Sequence, residues 1–231
     1  MRRRVLLTRV AIRHGGVVPS EAWTASRLDL LALLGRGAFE ALGDDWIWVW
    51  LVDPARSLQV LEHPVSAHER ILVCSREVAP GLLERSPSFM IRLDSDDAFK
   101  PDALLKTARA ADGWDDETLV EFPRGWQLDL LRKVAVSRSY SFTPPFCGIT
   151  AADPATGFKL LDVPHTDLRT RYPRIVSVQA RHWLQVCHDG NILNRMRRPN
   201  PSVNVSRMLE GFGVRGRAAR DLLAWRSQDS T

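Results

Sequence analysis

The apolar run Phe89-Met90-Ile91-Arg92-Leu93 ends abruptly in Asp94-Ser95-Asp96-Asp97, three carboxylates at the tip of a strand. In an extended chain alternate side chains point the same way, so Asp94 and Asp96 are expected on one face and Ser95 and Asp97 on the other. Two carboxylates that close repel each other unless a cation lies between them. A hard divalent ion with oxygen ligands, which retains water and also takes phosphate oxygens, meets that need. A plainer alternative is an acidic turn, in which Asp97 or Asp102 accepts from the free N–H groups at the start of a helix over Ala103 to Ala111.

Several familiar uses of such a cluster do not fit. A calcium loop starting at Asp94 requires an acid or amide at its fifth position, Gly at its sixth and Glu at its twelfth, where Ala98, Phe99 and Leu105 stand. Phosphatases with an aspartate nucleophile carry Asp-x-Asp near the N-terminus, followed by Gly-Thr or Val-Thr, whereas Asp97-Ala98-Phe99 follows here, deep in the chain. Neither G-x-x-x-x-G-K-[ST] nor G-x-G-x-x-G occurs, so a bound phosphate must be held by metal and arginine.

The elements that must position these acids read as an α/β pattern. Val5-Leu6-Leu7 predicts a first strand and Glu21 to Leu42 one helix or two short ones, with Gly35 and Gly37 weakening the middle. Trp46-Ile47-Trp48-Val49-Trp50-Leu51-Val52 is apolar on both faces, as a covered central strand should be. It ends at Asp53-Pro54, where Asp53 is either a turn former or a ligand at a strand tip. Arg70 to Cys74, Thr118 to Phe122, Gly125 to Leu131, Ala135 to Phe142, Phe146 to Thr150 and His182 to Cys187 predict further strands. Helices are expected from Pro101 to Ala111, Val203 to Phe212 and Ala218 to Trp225. A βαβ-like first half and a hairpin-rich middle predict a mixed sheet.

The chain of 231 residues, 45% hydrophobic and 26% charged, suits one globular domain, and no apolar run approaches a bilayer span. Cys74, Cys147 and Cys187 are far apart and form no C-x-x-C pair, which predicts buried thiols in a reducing compartment. Residues 169 to 226 hold twelve Arg, no Lys and three acids, a surplus of nine positive charges. That surplus suits a diphosphate, an anionic surface, an acidic acceptor or nucleic acid, although 28 Arg against 4 Lys is also this chain's general habit.

Three segments, in order, resemble the bacterial putative rhamnosyltransferase family, within the GT-A glycosyltransferases. They are Ile91 to Ala98, Phe122-Pro123-Arg124-Gly125-Trp126-Gln127-Leu128, and Trp183 to Arg195 with its Cys187-His188-Asp189-Gly190-Asn191 core. The resemblance implies an α/β, GT-A-like fold, with a Rossmann-like nucleotide-binding half and a central mixed β-sheet flanked by helices. The single domain would comprise a nucleotide-binding half to about residue 100, an acceptor and metal half to about 200, and C-terminal helices with a tail over 201–231. Its activity would be metal-dependent transfer of a sugar, such as the deoxyhexose rhamnose, from a nucleoside-diphosphate sugar to an acceptor hydroxyl. Thr8, Arg9, Asp53, Arg92, Asp94, Asp96 and Arg195, the last with Arg197 or Arg198, would bind the donor. Asp94, Asp96 and His188 would hold Mn2+ or Mg2+, and Asp167 would act as the general base. The acceptor would be a saccharide, a lipid-linked saccharide or a small molecule, in the cytoplasm or at the inner membrane face through the basic third, with no nucleic-acid partner. The competing readings are a metal-dependent phosphohydrolase and a polyanion-binding protein that uses the Arg-rich C-terminal third. Trp126 is either core or a platform for the acceptor.

Overall fold

A computed structural model describes residues 3–83, 87–141, 144–188 and 203–226. Eleven strands run β1 Arg3–Ala11, β2 Trp46–Val52, β3 Ile71–Cys74, β4 Pro87–Asp94, β5 Asp97–Phe99, β6 Thr118–Glu121, β7 Arg124–Asp129, β8 Val134–Ser139, β9 Cys147–Ile149, β10 Arg174–Ser177 and β11 Arg181–Cys187 among the described residues. Between and after them come α1 Glu21–Leu34, α2 Arg36–Glu40, α3 Ser57–Glu62, α4 Ala79–Leu82, α5 Pro101–Ala111, α6 Pro154–Phe158, α7 Leu168–Arg171, α8 Val205–Glu210 and α9 Gly216–Ala224. The main sheet has the order β10-β6-β9-β4-β1-β2-β3, and a smaller one the order β5-β11-β7-β8. β3, β2, β1 and β4 are parallel, and β9 lies antiparallel between β4 and β6. This is the expected α/β class, with a Rossmann-like parallel half within a mixed central sheet flanked by helices.

The alternation in β2 explains its place. Trp46, Trp48 and Trp50 pack with Leu28, Leu31 and Phe39 on one face of the sheet, while Val49 and Leu51 join Val5, Leu7 and Met90 on the other. Helix α1 starts at Ser20, whose side chain accepts from the Trp23 N–H at 3.1 Å, and stops at Gly35. Gly35 is a packing requirement: a Cβ there would lie 2.3 Å from the Trp48 ring. Of the one helix or two expected over Glu21 to Leu42, the structure has two, α1 and α2. Gly125 serves the smaller sheet in the same way, since a Cβ would meet the Trp183 ring at 2.1 Å.

The smaller sheet was not legible as a separate layer. β5 pairs antiparallel with β11, and β11 runs parallel to β7. Its apolar face packs Leu128, Leu184 and Val186 against Leu30 and Leu34 of α1 and against Leu209, Phe212 and Leu222 near the C-terminus. Helix α1 is thus shared between the two sheets, and its residues reach both. The three thiols are free, with Cys147 and Cys187 buried and Cys74 half-buried. Burial pushes Cys147 and Cys187 up to about 12 and Cys74 up to about 11. No described helix is long and apolar enough to cross a membrane.

Candidate functional site

Because β1, β2, β4 and β6 all run the same way, Arg9, Asp53, Asp94 and Glu121 gather at their C-terminal edge, where open α/β sheets take ligands. Asp53 caps the turn after β2, with Oδ1 accepting from Ala55 N at 3.0 Å and Oδ2 accepting from Arg13 Nε at 3.1 Å. The Ala55 N–H first, and then Arg13, hold its carboxyl below the ordinary value. Asp53 is thus a turn former that stands at a strand tip. Asp94 accepts from Arg9 Nη2 at 2.8 Å, and both side chains remain about one-third exposed, at 35% and 30%. Thr8 corrects the expectation of a nucleoside contact. It is fully buried on the α1 side of the sheet and accepts from Trp48 Nε1 at 2.8 Å, because β1 alternation turns it inward beside Leu6 and Val10.

Arg92 sits two residues before Asp94 on β4, in register with Cys147 of β9, which pairs with Glu121 of β6. Only 8% of it is exposed, its Nε is buried with no hydrogen-bond partner, and no described carboxylate pairs with its guanidinium. The neighbouring acids are engaged elsewhere. Asp94 is bonded to Arg9, and Glu121, fully buried, receives two bonds from Arg169, Nε at 2.8 Å and Nη2 at 2.7 Å. Among the described residues one positive charge is therefore left at the strand tips, nearly desolvated and without an anion.

Two residues beyond Asp94 the surroundings change. β4 ends at Asp94, Ser95 and Asp96 form a turn, and β5 starts at Asp97, so the simple alternation expected of the acids is broken. Asp96 is 6% exposed and its Oδ2 lies 2.5 Å from Nη1 of Arg27, itself 7% exposed. The same Oδ2 is 3.4 Å from His188 Nε2, which in turn is 3.3 Å from Arg27 Nη1. Depending on tautomer, His188 donates to Asp96 or accepts from Arg27. Trp23 lies under the guanidinium, 4.7 Å from its carbon to the ring centroid, and Trp225 stands edge-on to His188 at 5.0 Å. Burial pushes the Asp96 carboxyl up, but His188 and Arg27 together outweigh it and hold it well below the usual carboxylate range.

Asp97 belongs to neither group. Its Oδ1 accepts from Val186 N at 3.1 Å and bolts β5 to β11. Burial, followed by repulsion from Asp96 and Asp94, pushes its carboxyl well up. The helix-cap alternative also falls away: α5 begins at Pro101 behind Lys100, with no side-chain cap bond.

The expected metal ligands meet only in part. Asp96 and His188 converge, but Arg27 touches both, while Asp94 is bonded to Arg9. Among the described residues no group of three His, Cys, Asp or Glu is arranged to hold an ion. As they stand, these residues do not fit a three-donor metal centre. Asp167 ends a short 3-10 turn before α7, exposed and accepting from Thr166 Oγ1 at 2.9 Å; it occupies the N-cap position but makes no cap bond. The Arg169 to Glu121 pair ties this segment to the sheet edge. Arg195, Arg197 and Arg198 lie outside the described residues. Trp126 is half-buried beneath the Arg181 guanidinium, at 5.2 Å.

Arg27, Glu121 and Arg169 were not anticipated. A signal for Arg27 existed: it falls at helical spacing within the stripe Trp23, Leu30 and Leu34, where an apolar residue is expected.

No family model matches the chain and no curated protein matches it. Among solved structures it is similar to the S. aureus TarS 1–349 fragment in complex with UDP-GlcNAc, at 15% identity and a TM-score of 0.46, over 83% of this chain and 60% of that one. The glycosyltransferase GlyE of Streptococcus pneumoniae TIGR4 aligns at 10% identity and a TM-score of 0.46, over 99% and 66% respectively. The manganese complex of Rv0371c from Mycobacterium tuberculosis H37Rv aligns at 14% identity and a TM-score of 0.37, over 90% and 98%. This chain thus spans about three-fifths of the TarS fragment.

Proposed function

We propose that this chain transfers a sugar from a nucleoside-diphosphate sugar to an acceptor hydroxyl, at the C-terminal edge of β1, β2 and β4. The observation that carries this reading is Arg92, a nearly buried guanidinium with no acceptor among the described residues, beside the exchangeable pair of Arg9 and Asp94. A diphosphate is the kind of anion that repays such an arrangement, since charge-assisted bonds to phosphate are strong and bidentate. Asp53, at the neighbouring tip, faces the nucleoside. The family-like segments around Asp94 and after Trp183 favour sugar transfer over phosphate hydrolysis.

In this reading the bond from the sugar C1 to the diphosphate oxygen breaks and its electron pair leaves with the diphosphate. Arg92 and Arg9 hold the charge that develops there, in a poorly hydrated position where it counts most. The acceptor oxygen bonds to C1, and its proton passes to the Asp167 carboxylate, which requires hydrogen-bonding reach in the complex. The Mn2+ or Mg2+ expected from the sequence takes no part in the step as written. A deoxyhexose donor and a saccharide, lipid-linked or small-molecule acceptor complete the reading, and the basic C-terminal third offers contact with an anionic membrane surface.

The test is calorimetric titration of UDP, GDP, dTDP and CDP into the wild type and Arg92→Gln. One nucleotide should bind, and the variant should lose about tenfold or more in affinity, the worth of one charge-assisted bond. Equal affinity in both proteins would defeat the assignment of Arg92. Release of inorganic phosphate from a simple phosphomonoester, without sugar transfer, would favour the hydrolase, and strong salt-sensitive binding of any polyanion would favour the third reading.

A further inference from the structure

The Asp96 box contains its own cation. Arg27 Nη1 lies 2.5 Å from Asp96 Oδ2 and 3.3 Å from His188 Nε2, so one guanidinium nitrogen touches both donors that a metal would have to share. We propose that Arg27 is the fixed cation of this site, standing where the sequence calls for a divalent ion, and that the diphosphate is consequently bound without one.

The guanidinium is poorly placed to give way. Helix α1 is held on both sides, by Leu28 and Leu31 in one core and by Leu30 and Leu34 in another. The Arg27 side chain is 8% exposed and rests on Trp23, so swinging out means exchanging a salt bridge and a stacked ring for solvent. Nor can it relieve repulsion by losing a proton, as a lysine can, because arginine stays charged in proteins. An incoming dication would meet a permanent positive charge in a site where water screens little. Of the three expected ligands Asp94 alone remains, and it is bonded to Arg9. The positive charge that a metal would bring to the phosphates is already available at Arg92 on β4 and Arg9 on β1. Arg27 is thus a positioning residue. It neutralises Asp96, fixes His188 and settles the turn that follows Asp94.

The identity of the diphosphate rests on the proposed function; the claim about the metal does not. Both are separable by titrating UDP, GDP, dTDP and CDP in EDTA and in manganese, with wild type, Arg27→Met and Arg27→Met/Asp96→Asn, after checking each fold by far-UV circular dichroism. In the wild type the binding nucleotide should have the same affinity in both buffers, within about twofold. Arg27→Met should gain about tenfold or more from manganese, and the added Asp96→Asn should remove that gain. A wild type that binds about tenfold tighter with manganese, or an Arg27→Met protein that folds and gains nothing, overturns the inference. If Arg27→Met does not fold, the wild-type comparison decides alone. If no nucleotide binds, the glycosyltransferase reading fails while this inference is still decided by electron paramagnetic resonance of manganese without nucleotide. Bound manganese in Arg27→Met and none in the wild type supports it; bound manganese in the wild type, or in neither, overturns it.

Discussion

Asp94 and Asp96 lie two residues apart, and each is bonded to an arginine, yet they are different kinds of group. Asp94 and Arg9 stay about one-third exposed on the open edge of the sheet, whereas Asp96 and Arg27 are each less than one-tenth exposed. An exposed pair is weak and exchangeable, so Arg9 can leave Asp94 for another anion at small cost. A buried pair is committed, because removing one partner strands the other. Depth, rather than residue type, divides an acidic motif into an exchangeable edge and a structural anchor.

The sharpest way to break that contrast is to remove each acid in turn. Asp96→Ala leaves Arg27 and His188 buried beside each other and should cost about 3–5 kcal/mol of stability. Asp94→Ala should cost less than about 1 kcal/mol. Equilibrium urea unfolding of both variants measures the difference, and equal losses would show that depth does not separate them.

Glu121 and Arg169 extend the comparison to a mixed case, a fully buried carboxylate held by a half-exposed arginine. Arg169→Ala should cost about 2 kcal/mol, less than the Asp96 change because water can reach the vacated side. Glu121→Gln in the same chain should recover part of that loss. Absence of any recovery would mean that the stranded charge is not the cause.

Arg92 inverts the pattern, since its guanidinium is buried but has no described anion. Arg92→Leu should stabilise the fold by about 1 kcal/mol while weakening diphosphate binding, a trade expected where a charge is kept for a ligand. Thermal melts with and without nucleotide give both readings in one experiment. A variant that loses stability without ligand would place an unseen partner at Arg92.

How much of this was legible depended on distance along the chain. β2 and α5 announce themselves within a dozen residues, through alternation over Trp46 to Val52 and through Pro101 at a first turn. The acids at the tips of β2 and β4 could be found the same way. What could not be read was which charge meets which: Arg27 and His188 are 161 positions apart and Glu121 and Arg169 are 48 apart. The smaller sheet escaped for the same reason, because β5 is three residues long and is defined by its pairing with β11. Alternation misled at Asp96, where it was extended through a turn, whereas at Thr8 family position was followed against the inward face that the alternation of β1 gives it.

The smallest effect concerns Asp97, whose shift is opposite in sign to that of its neighbour. Asp96 has its carboxyl held low in the folded state, so its contribution is present above the unfolded value near 3.9 and is lost as the pH falls through the folded one. Asp97 has its carboxyl raised, so the folded state prefers the proton, and stability declines as the pH rises from about 3.9 through the raised value. Asp97→Asn keeps an oxygen for the Val186 N–H and removes the carboxylate that Asp96 and Asp94 repel. It should therefore match the wild type near pH 3 and exceed it at pH 7 by about 1 kcal/mol, roughly the free energy of one unit of pKa shift. Urea midpoints measured across that range distinguish the two signs. A gain that is independent of pH would mean that packing between β5 and β11 is being altered, whereas a gain that grows with pH isolates the buried charge.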